Sequence, residues 1–268
     1  MNALSSDLIE ALMLTAKEAC EQGAFHAKSY FQSGLCVEQK TDDSPVTLAD
    51  REAEERIITI IRSHFPEHSI LGEEHGLLQG HPDFRWIIDP IDGTRGFIRG
   101  GGFWGSLVGV EYRGEMIAGA MCLPIPKLTY WAGKGLGCFR NGTRIQLEPR
   151  STLDQATLSI GEIQYMLRGE HRAAISRLIC ACASTRGYGD PGGLMMVLEG
   201  LADIWIEAGV KTWDIAHAKI LIEEAGGLFT DFAGESTIES GNCIATVPEL
   251  HPQILDCFKD AYSCSHPG

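Results

Sequence analysis

Apolar residues recur at helical spacing twice near the start of the chain. Over residues 7–31, Leu8, Leu12, Ala16, Ala19 and Ala27 share one face, and over 48–63 Leu48, Ile57, Ile58 and Ile61 do the same. This predicts two amphipathic helices. Between them, Lys40-Thr41-Asp42-Asp43-Ser44-Pro45 gathers turn-formers and a proline, the composition of a loop or hairpin. From Ser69 the texture changes: Ser69–Gly72 and Phe84–Pro90 are short apolar runs ended by glycine or proline, as in strands. Residues 104–112 and 115–122, joined by Arg113-Gly114, precede another apolar run at 128–132. That succession predicts an antiparallel meander. The glycine-rich segment 133–142 suits a tight hairpin, and polar residues 146–154 follow it.

Downstream the pattern alternates: a strand at 156–160, helices at 168–180 and 190–200, a strand at 202–207, and a helix at 214–225 that Gly226-Gly227 ends. This is α/β texture. The expected organisation is therefore α/β, with an N-terminal α+β lobe over 1–146 and a C-terminal α/β lobe over 147–268, and no internal repeat.

A chain of 268 residues can bury a substantial core without disulfide or metal staples. Its 44% hydrophobic and 22% charged residues are those of a globular protein rather than a disordered one. The charge changes the picture more. With 22 basic and 36 acidic side chains, the formal charge of 22 − 36 = −14 repels a polynucleotide backbone, so nucleic acid is not expected as a partner. It would repel a phosphorylated metabolite as well, unless a cation such as a bound metal offsets the local carboxylates. The apolar stretches fall well short of about 20 residues and no basic-then-apolar leader opens the chain, so the expectation is a cytoplasmic protein without a membrane partner. Nine scattered cysteines suit reduced thiols, and Cys180 and Cys182 read as small buried side chains rather than as metal ligands or redox sensors.

The most informative stretch is Asp89-Pro90-Ile91-Asp92-Gly93-Thr94. It places two carboxylates three residues apart where an apolar strand runs into a glycine turn, so the backbone can bend both toward one point. Hard divalent cations prefer oxygen ligands, and a tight turn can add the Ile91 carbonyl. The amides of Gly93 and Thr94, if they open a helix or turn, can donate to a bound phosphate. Alone, two such carboxylates are more often solvated turn residues. Glu73-Glu74 can likewise be a surface pair, and Asp214 a plain helix N-cap. His75, beside Glu74, reads as a polar loop residue because the surrounding donors are all oxygen.

Taken together, Gly72-Glu73-Glu74, the WxxDPxDGT sequence from Trp86 to Thr94, and Trp213-Asp214 followed by Glu224-Ala225-Gly226-Gly227 resemble the inositol monophosphatase superfamily of magnesium-dependent, lithium-sensitive phosphatases. With Ser44–Asp50 preceding them, the resemblance spans roughly residues 36–232. It implies a layered αβαβα sandwich, two or three Mg2+ ions per active site, a small phosphorylated metabolite as substrate, and a homodimer. One metal would be held by Glu73, Asp89 and the Ile91 carbonyl, a second by Asp89, Asp92 and Asp214, and a weaker third near Glu73 and Asp50. The resemblance further implies that Thr94 and Glu73 orient the attacking water, that Asp50 supports them through Thr47, and that the Gly93 and Thr94 amides hold phosphate oxygens. Lys40 matches a family lysine loosely and can equally be a solvated loop residue.

Subfamilies share this chemistry, so the substrate must be read elsewhere. The run Arg95–Gly100 followed by Phe103-Trp104-Gly105-Ser106-Leu107 looks more like the histidinol-phosphate phosphatase branch than the inositol branch, as does Arg186-Gly187-Tyr188-Gly189-Asp190. Asp190 can pair with an ammonium or imidazolium group, or can simply cap the helix after Pro191. Glu207 can contact the leaving group or simply end a strand. Gly100-Gly101-Gly102 and Gly192-Gly193 depart from that branch's pattern. The expected substrate is histidinol phosphate, followed by inositol monophosphate, then a 3′(2′),5′-bisphosphate nucleotide or fructose 1,6-bisphosphate. Arg95 and Arg99 can serve a second phosphate or be surface charges. A non-catalytic binder of a phosphometabolite would be expected to have lost a metal ligand, and each proposed ligand is present.

Overall fold

The computed structural model describes residues 4–33, 38–39 and 45–263. Helix α1 (Ser6–Lys28) starts where the Ser5 hydroxyl accepts the Leu8 N–H and buries Leu12, Ala16, Ala19 and Ala27. After two short paired strands, β1 (Glu38–Gln39) and β2 (Pro45–Val46), helix α2 (Leu48–His64) opens on a capping box formed by Thr47 and Asp50 and buries Ile57 and Ile61 against α1. The chain then builds an eight-stranded sheet: β3 (His68–Gly72), β4 (Gly76–Leu78), β5 (His81–Asp92), then, after the short helix α3 (Thr94–Ile98), β6 (Gly105–Tyr112), β7 (Glu115–Leu123), β8 (Leu128–Gly133), β9 (Gly137–Arg140) and β10 (Thr143–Ile145). Its spatial order is β10-β9-β8-β7-β6-β5-β3-β4, antiparallel except between β3 and β5. The predicted meander is β6–β7–β8.

A second sheet, of five strands, takes the rest. It contains β11 (Thr157–Ile160), then, after helices α4 (Ile163–Arg168) and α5 (Arg172–Ala181), β12 (Ser184–Arg186). Helix α6 (Asp190–Leu198), β13 (Ile204–Ala208), α7 (Thr212–Glu224), β14 (Leu228–Thr230), β15 (Asn242–Thr246) and α8 (His251–Ser263) complete the chain. The order is β12-β11-β13-β15-β14, with β11 parallel to both neighbours.

Three apolar interfaces stack these elements into five layers. The first joins α1 and α2 to one face of the large sheet through Leu12, Ala16, Ile57, Trp86, Ile88 and Val108. The second joins its other face to α6 and α7 and to the small sheet, through Ile87, Leu107, Leu194, Ile220 and Trp205. The third covers the far face of the small sheet with α5 and α8, through Ile206, Ile244, Leu178 and Phe258. The layering is αβαβα, as the resemblance implies. Strand β5 sends Trp86 and Ile88 to one side and Ile87 to the other, which is why its sequence is an unbroken apolar run rather than an alternating one.

Two expectations need correction. The helix expected over 168–180 begins only at Arg172, as α5, because Gly169 ends a separate short helix, α4, that the apolar pattern does not predict. Cys180 is exposed and Cys182 half-buried, since α5 turns only Ala174, Ile175 and Leu178 inward. Lys40 lies outside the described residues, as do Cys36 and Cys264.

Candidate active site

In an unbroken strand, residues three apart face opposite sides of the sheet. Strand β5 reconciles Asp89 with Asp92 through a bulge: its pairing passes from Asp89–Leu107 to Asp92–Gly105, three steps on β5 against two on β6. The bulge is pinned from both sides, because the Ile91 N–H donates to Asp89 Oδ1 at 3.0 Å and the Ser106 hydroxyl donates to the Pro90 carbonyl at 2.6 Å. A third carboxylate comes from α7, where Asp214 is the third helical residue and its Oδ2 accepts the Lys211 N–H at 2.7 Å. One oxygen from each of Asp89, Asp92 and Asp214 falls within 4.8 Å of the others.

Glu73 follows β3. Its N–H donates to the Ile88 carbonyl at 3.2 Å, which ties it to the strand that carries Asp89. Burial first, and the charges of Glu73 and Asp190 respectively next, push the carboxyls of Asp89 and Asp92 well above the usual range. Asp214 is pushed up to about 7 by burial, with the Lys211 amide opposing and Glu73 adding. An all-oxygen set of crowded carboxylates is a poor neighbour to itself and a good cage for a hard divalent cation, so these residues fit the metals that the sequence resemblance implies.

Behind the cage, the Thr47 N–H and hydroxyl both donate to Asp50 Oδ2, at 2.8 and 2.6 Å. The other Asp50 oxygen lies 3.4 Å from the Thr94 hydroxyl, which donates to the Ile91 carbonyl at 2.8 Å. Thr94 opens α3 directly after Gly93, whose φ of 82° suits glycine. The first amides of that helix have no partners within it, which leaves donors beside the carboxylates.

A second acidic group adjoins the first. Glu207 is 1% exposed, and its Oε2 accepts the Trp205 indole N–H at 3.0 Å and the Asp190 N–H at 3.0 Å. Asp190 is exposed, yet the protein packed around its carboxyl, followed by the charge of Glu162, pushes it up to about 6 while Arg95 pulls the other way. A cavity of about 120 Å³ is lined by Asp92, Glu162, Asp190, Glu207 and Asp214. No motif marks Glu162 or Trp205 in the sequence. Glu162 lies just past the C-terminal end of β11, which has parallel neighbours, the end of such strands where ligands bind. Trp205 stands two residues before Glu207 on one strand face. Arg186 stands apart on edge strand β12, exposed, with its guanidinium donating to the Thr185 carbonyl at 3.0 Å.

The family model described as the inositol monophosphatase family matches residues 8–262. A histidinol-phosphatase of Chlorobaculum parvum is 35% identical over 227 residues, 84% of this chain and 88% of that one. A Nus factor SuhB of Pasteurella multocida is 33% identical over 261 residues, 94% and 98% of the two chains. Among solved structures, an inositol monophosphatase from Zymomonas mobilis superposes with a TM-score of 0.84 at 27% identity, covering 96% of this chain and all of that one (100%).

Proposed function

The chain belongs to the inositol monophosphatase family, whose members are metal-dependent phosphatases, and we propose that it hydrolyses a small phosphate monoester whose leaving group is cationic, histidinol phosphate fitting best. The observation that carries the substrate reading is the cavity in which Asp190, Glu207 and Glu162 adjoin Asp92 and Asp214. An ammonium or imidazolium group there would meet carboxylates, whereas an inositol ring offers them only neutral hydroxyls. The 35% identity to a histidinol-phosphatase supports the same reading.

In this proposal Glu73, Asp89 and the Ile91 carbonyl would hold one Mg2+, and Asp89, Asp92 and Asp214 a second. When bound, Mg2+ supplies Lewis-acid polarisation of the ester and neutralises charge that builds on the transferring phosphoryl group. The Thr94 hydroxyl and the Glu73 carboxylate orient the attacking water, and the Gly93 and Thr94 amides hold phosphate oxygens. Asp50 keeps Thr94 aligned, itself held by Thr47. Glu207, fixed by the Trp205 indole and the Asp190 amide, faces the leaving group together with Asp190.

The test is a comparison of kcat/KM for histidinol phosphate, inositol 1-phosphate, fructose 1,6-bisphosphate and 3′-phosphoadenosine 5′-phosphate at saturating Mg2+. Histidinol phosphate is expected to lead by about a hundredfold or more, the scale on which a built polar contact discriminates. Asp190→Asn is expected to remove most of that lead while leaving hydrolysis of inositol 1-phosphate nearly unchanged. Equal rates on the first two substrates, or a lead for either bisphosphate, would replace the substrate assignment.

A further inference from the structure

The Glu54 carboxylate lies wholly inside the protein, 0% exposed, on α2. A buried carboxylate is costly unless donors surround it. Here the donors come from one place, the turn after β3: the Glu74 N–H at 2.9 Å from Oε2, the His75 N–H at 2.8 Å from Oε1, and His75 Nδ1 also 2.9 Å from Oε1. These are the two residues that follow Glu73. The Glu73 N–H itself is held by the Ile88 carbonyl on β5. Three consecutive amides, of Glu73, Glu74 and His75, are therefore fixed, the first to the strand bearing Asp89 and the other two to α2.

Helix α2 also carries Asp50, four residues earlier and so on the same face as Glu54. Asp50 reaches Thr94, and Glu54 reaches the Glu73 turn. One rigid helical turn thus sets the spacing between the hydroxyl and the carboxylate that the proposed mechanism assigns to the attacking water. The fit leaves no slack, since a Cβ on Gly72 would stand 2.2 Å from Glu54 Oε1.

We infer that Glu54 is a positioning residue for catalysis: it clamps the Glu74 and His75 amides so that the Glu73 carboxylate is presented to the metal cage in register with Thr94. This rests on the reading of Glu73 as a metal ligand. Glu54 itself is not among the carboxylates assigned to the metals or to the leaving group. Glu54 bonds the two residues after Glu73 rather than Glu73 itself, so its removal is expected at the lower end of the about 10–100-fold loss of metal affinity that follows removal of an outer hydrogen-bond partner of a metal ligand.

The test is calorimetric binding of Mn2+ to the full chain without substrate, beside substrate KM at saturating metal and melting of the chelated protein. Glu54→Gln, which keeps volume but turns an amide donor toward donors, is expected to raise the Mn2+ Kd about tenfold or more while KM moves less than about twofold. Gly72→Ala, which displaces the Glu54 carboxylate while leaving the Glu73 side chain intact, is expected to do the same, and it decides the matter should Glu54→Gln fail to fold. A folded variant whose Mn2+ Kd stays within about twofold of wild type would overturn the inference. Glu73→Gln, run in parallel, separates the two readings: if it too leaves the Kd unchanged, the assignment of Glu73 as a ligand fails, whereas a loss in Glu73→Gln alone removes only the role of Glu54.

Discussion

Asp92 is an ionisable side chain only 8% exposed, with Asp190, Asp214, Glu207 and Glu73 all raising its carboxyl. Asparagine has the same shape and no charge, so Asp92→Asn should act in opposite directions on two measurements. In chelator at about pH 8, above the usual carboxylate range, the variant is relieved of repulsion and is expected to melt higher than wild type, by about 2–4 °C for each kcal/mol relieved. With Mg2+ present it should lose phosphatase activity by about a hundredfold or more, the cost of removing one preorganised electrostatic contact, and its melting temperature should respond weakly to metal. A chelated variant that melts well below wild type would mean that Asp92 supports the fold rather than straining it. At this scale the carboxylates were legible as residues, since two acids in a WxxDPxDGT sequence are visible without coordinates. Glu54 was legible only as a place on the inward face of its helix, at helical spacing from Ile57 and Ile61; that it meets the turn after Glu73 is not written in the sequence.

Among the elements, α7 matters most for the site, because it lies between the sheets and delivers Asp214. It can lie close to the large sheet because facing positions on β6 and β7 are glycines paired across the strands, Gly109 with Gly119. A Cβ on Gly109 would stand 2.8 Å from Met116 Cε, 3.0 Å from Ala216 Cβ and 3.2 Å from the His217 nitrogen, and one on Gly119 would stand 2.7 Å from Ile220 Cγ2. Gly109→Ala is therefore expected to destabilise the protein by about 1–3 kcal/mol through overpacking. It should also weaken metal binding, as α7 is lifted and Asp214 moves with it. Thermal denaturation and Mn2+ calorimetry on one preparation check both parts, and a stability loss with unchanged metal affinity would uncouple the helix from the cage. Periodicity found α7 and placed its end at the glycine pair. It does not find α4, whose six residues bury only Met166, and it starts α5 four residues early.

For the molecule as a whole, the acidic cage couples stability to pH and to metal. Asp214 at about 7 and Asp190 at about 6 bind protons more tightly in the folded chain than in an unfolded one, where aspartate titrates near 4. The folded state then holds more protons through this window, so chelated protein should lose stability as pH rises from about 4 to about 7. Mg2+ competes with the proton on its proposed ligand Asp214, so the rise in melting temperature on adding it should grow between about pH 6 and pH 8, and the Mg2+ activation constant should fall over the same range. Melting curves with chelator and with Mg2+ across that range check this, and a metal increment independent of pH would sink it. No helix of the described residues is long and apolar enough to cross a membrane. The sequence by itself determined the α/β texture, because periodicity and glycine stops are local properties carried along the chain, while the five-layer arrangement and the chemical type of the centre followed from the family resemblance that the WxxDPxDGT and Trp213-Asp214 motifs carry. Only the tertiary structure decided which carboxylates meet and what lies beside them. Asp89 and Asp92 face one side through a bulge that depends on pairing with β6, Asp214 arrives from the other sheet's side of the core, and Glu54, Glu162 and Trp205 gain their places from neighbours far away in sequence. Those are matters of register and packing, which no local pattern encodes.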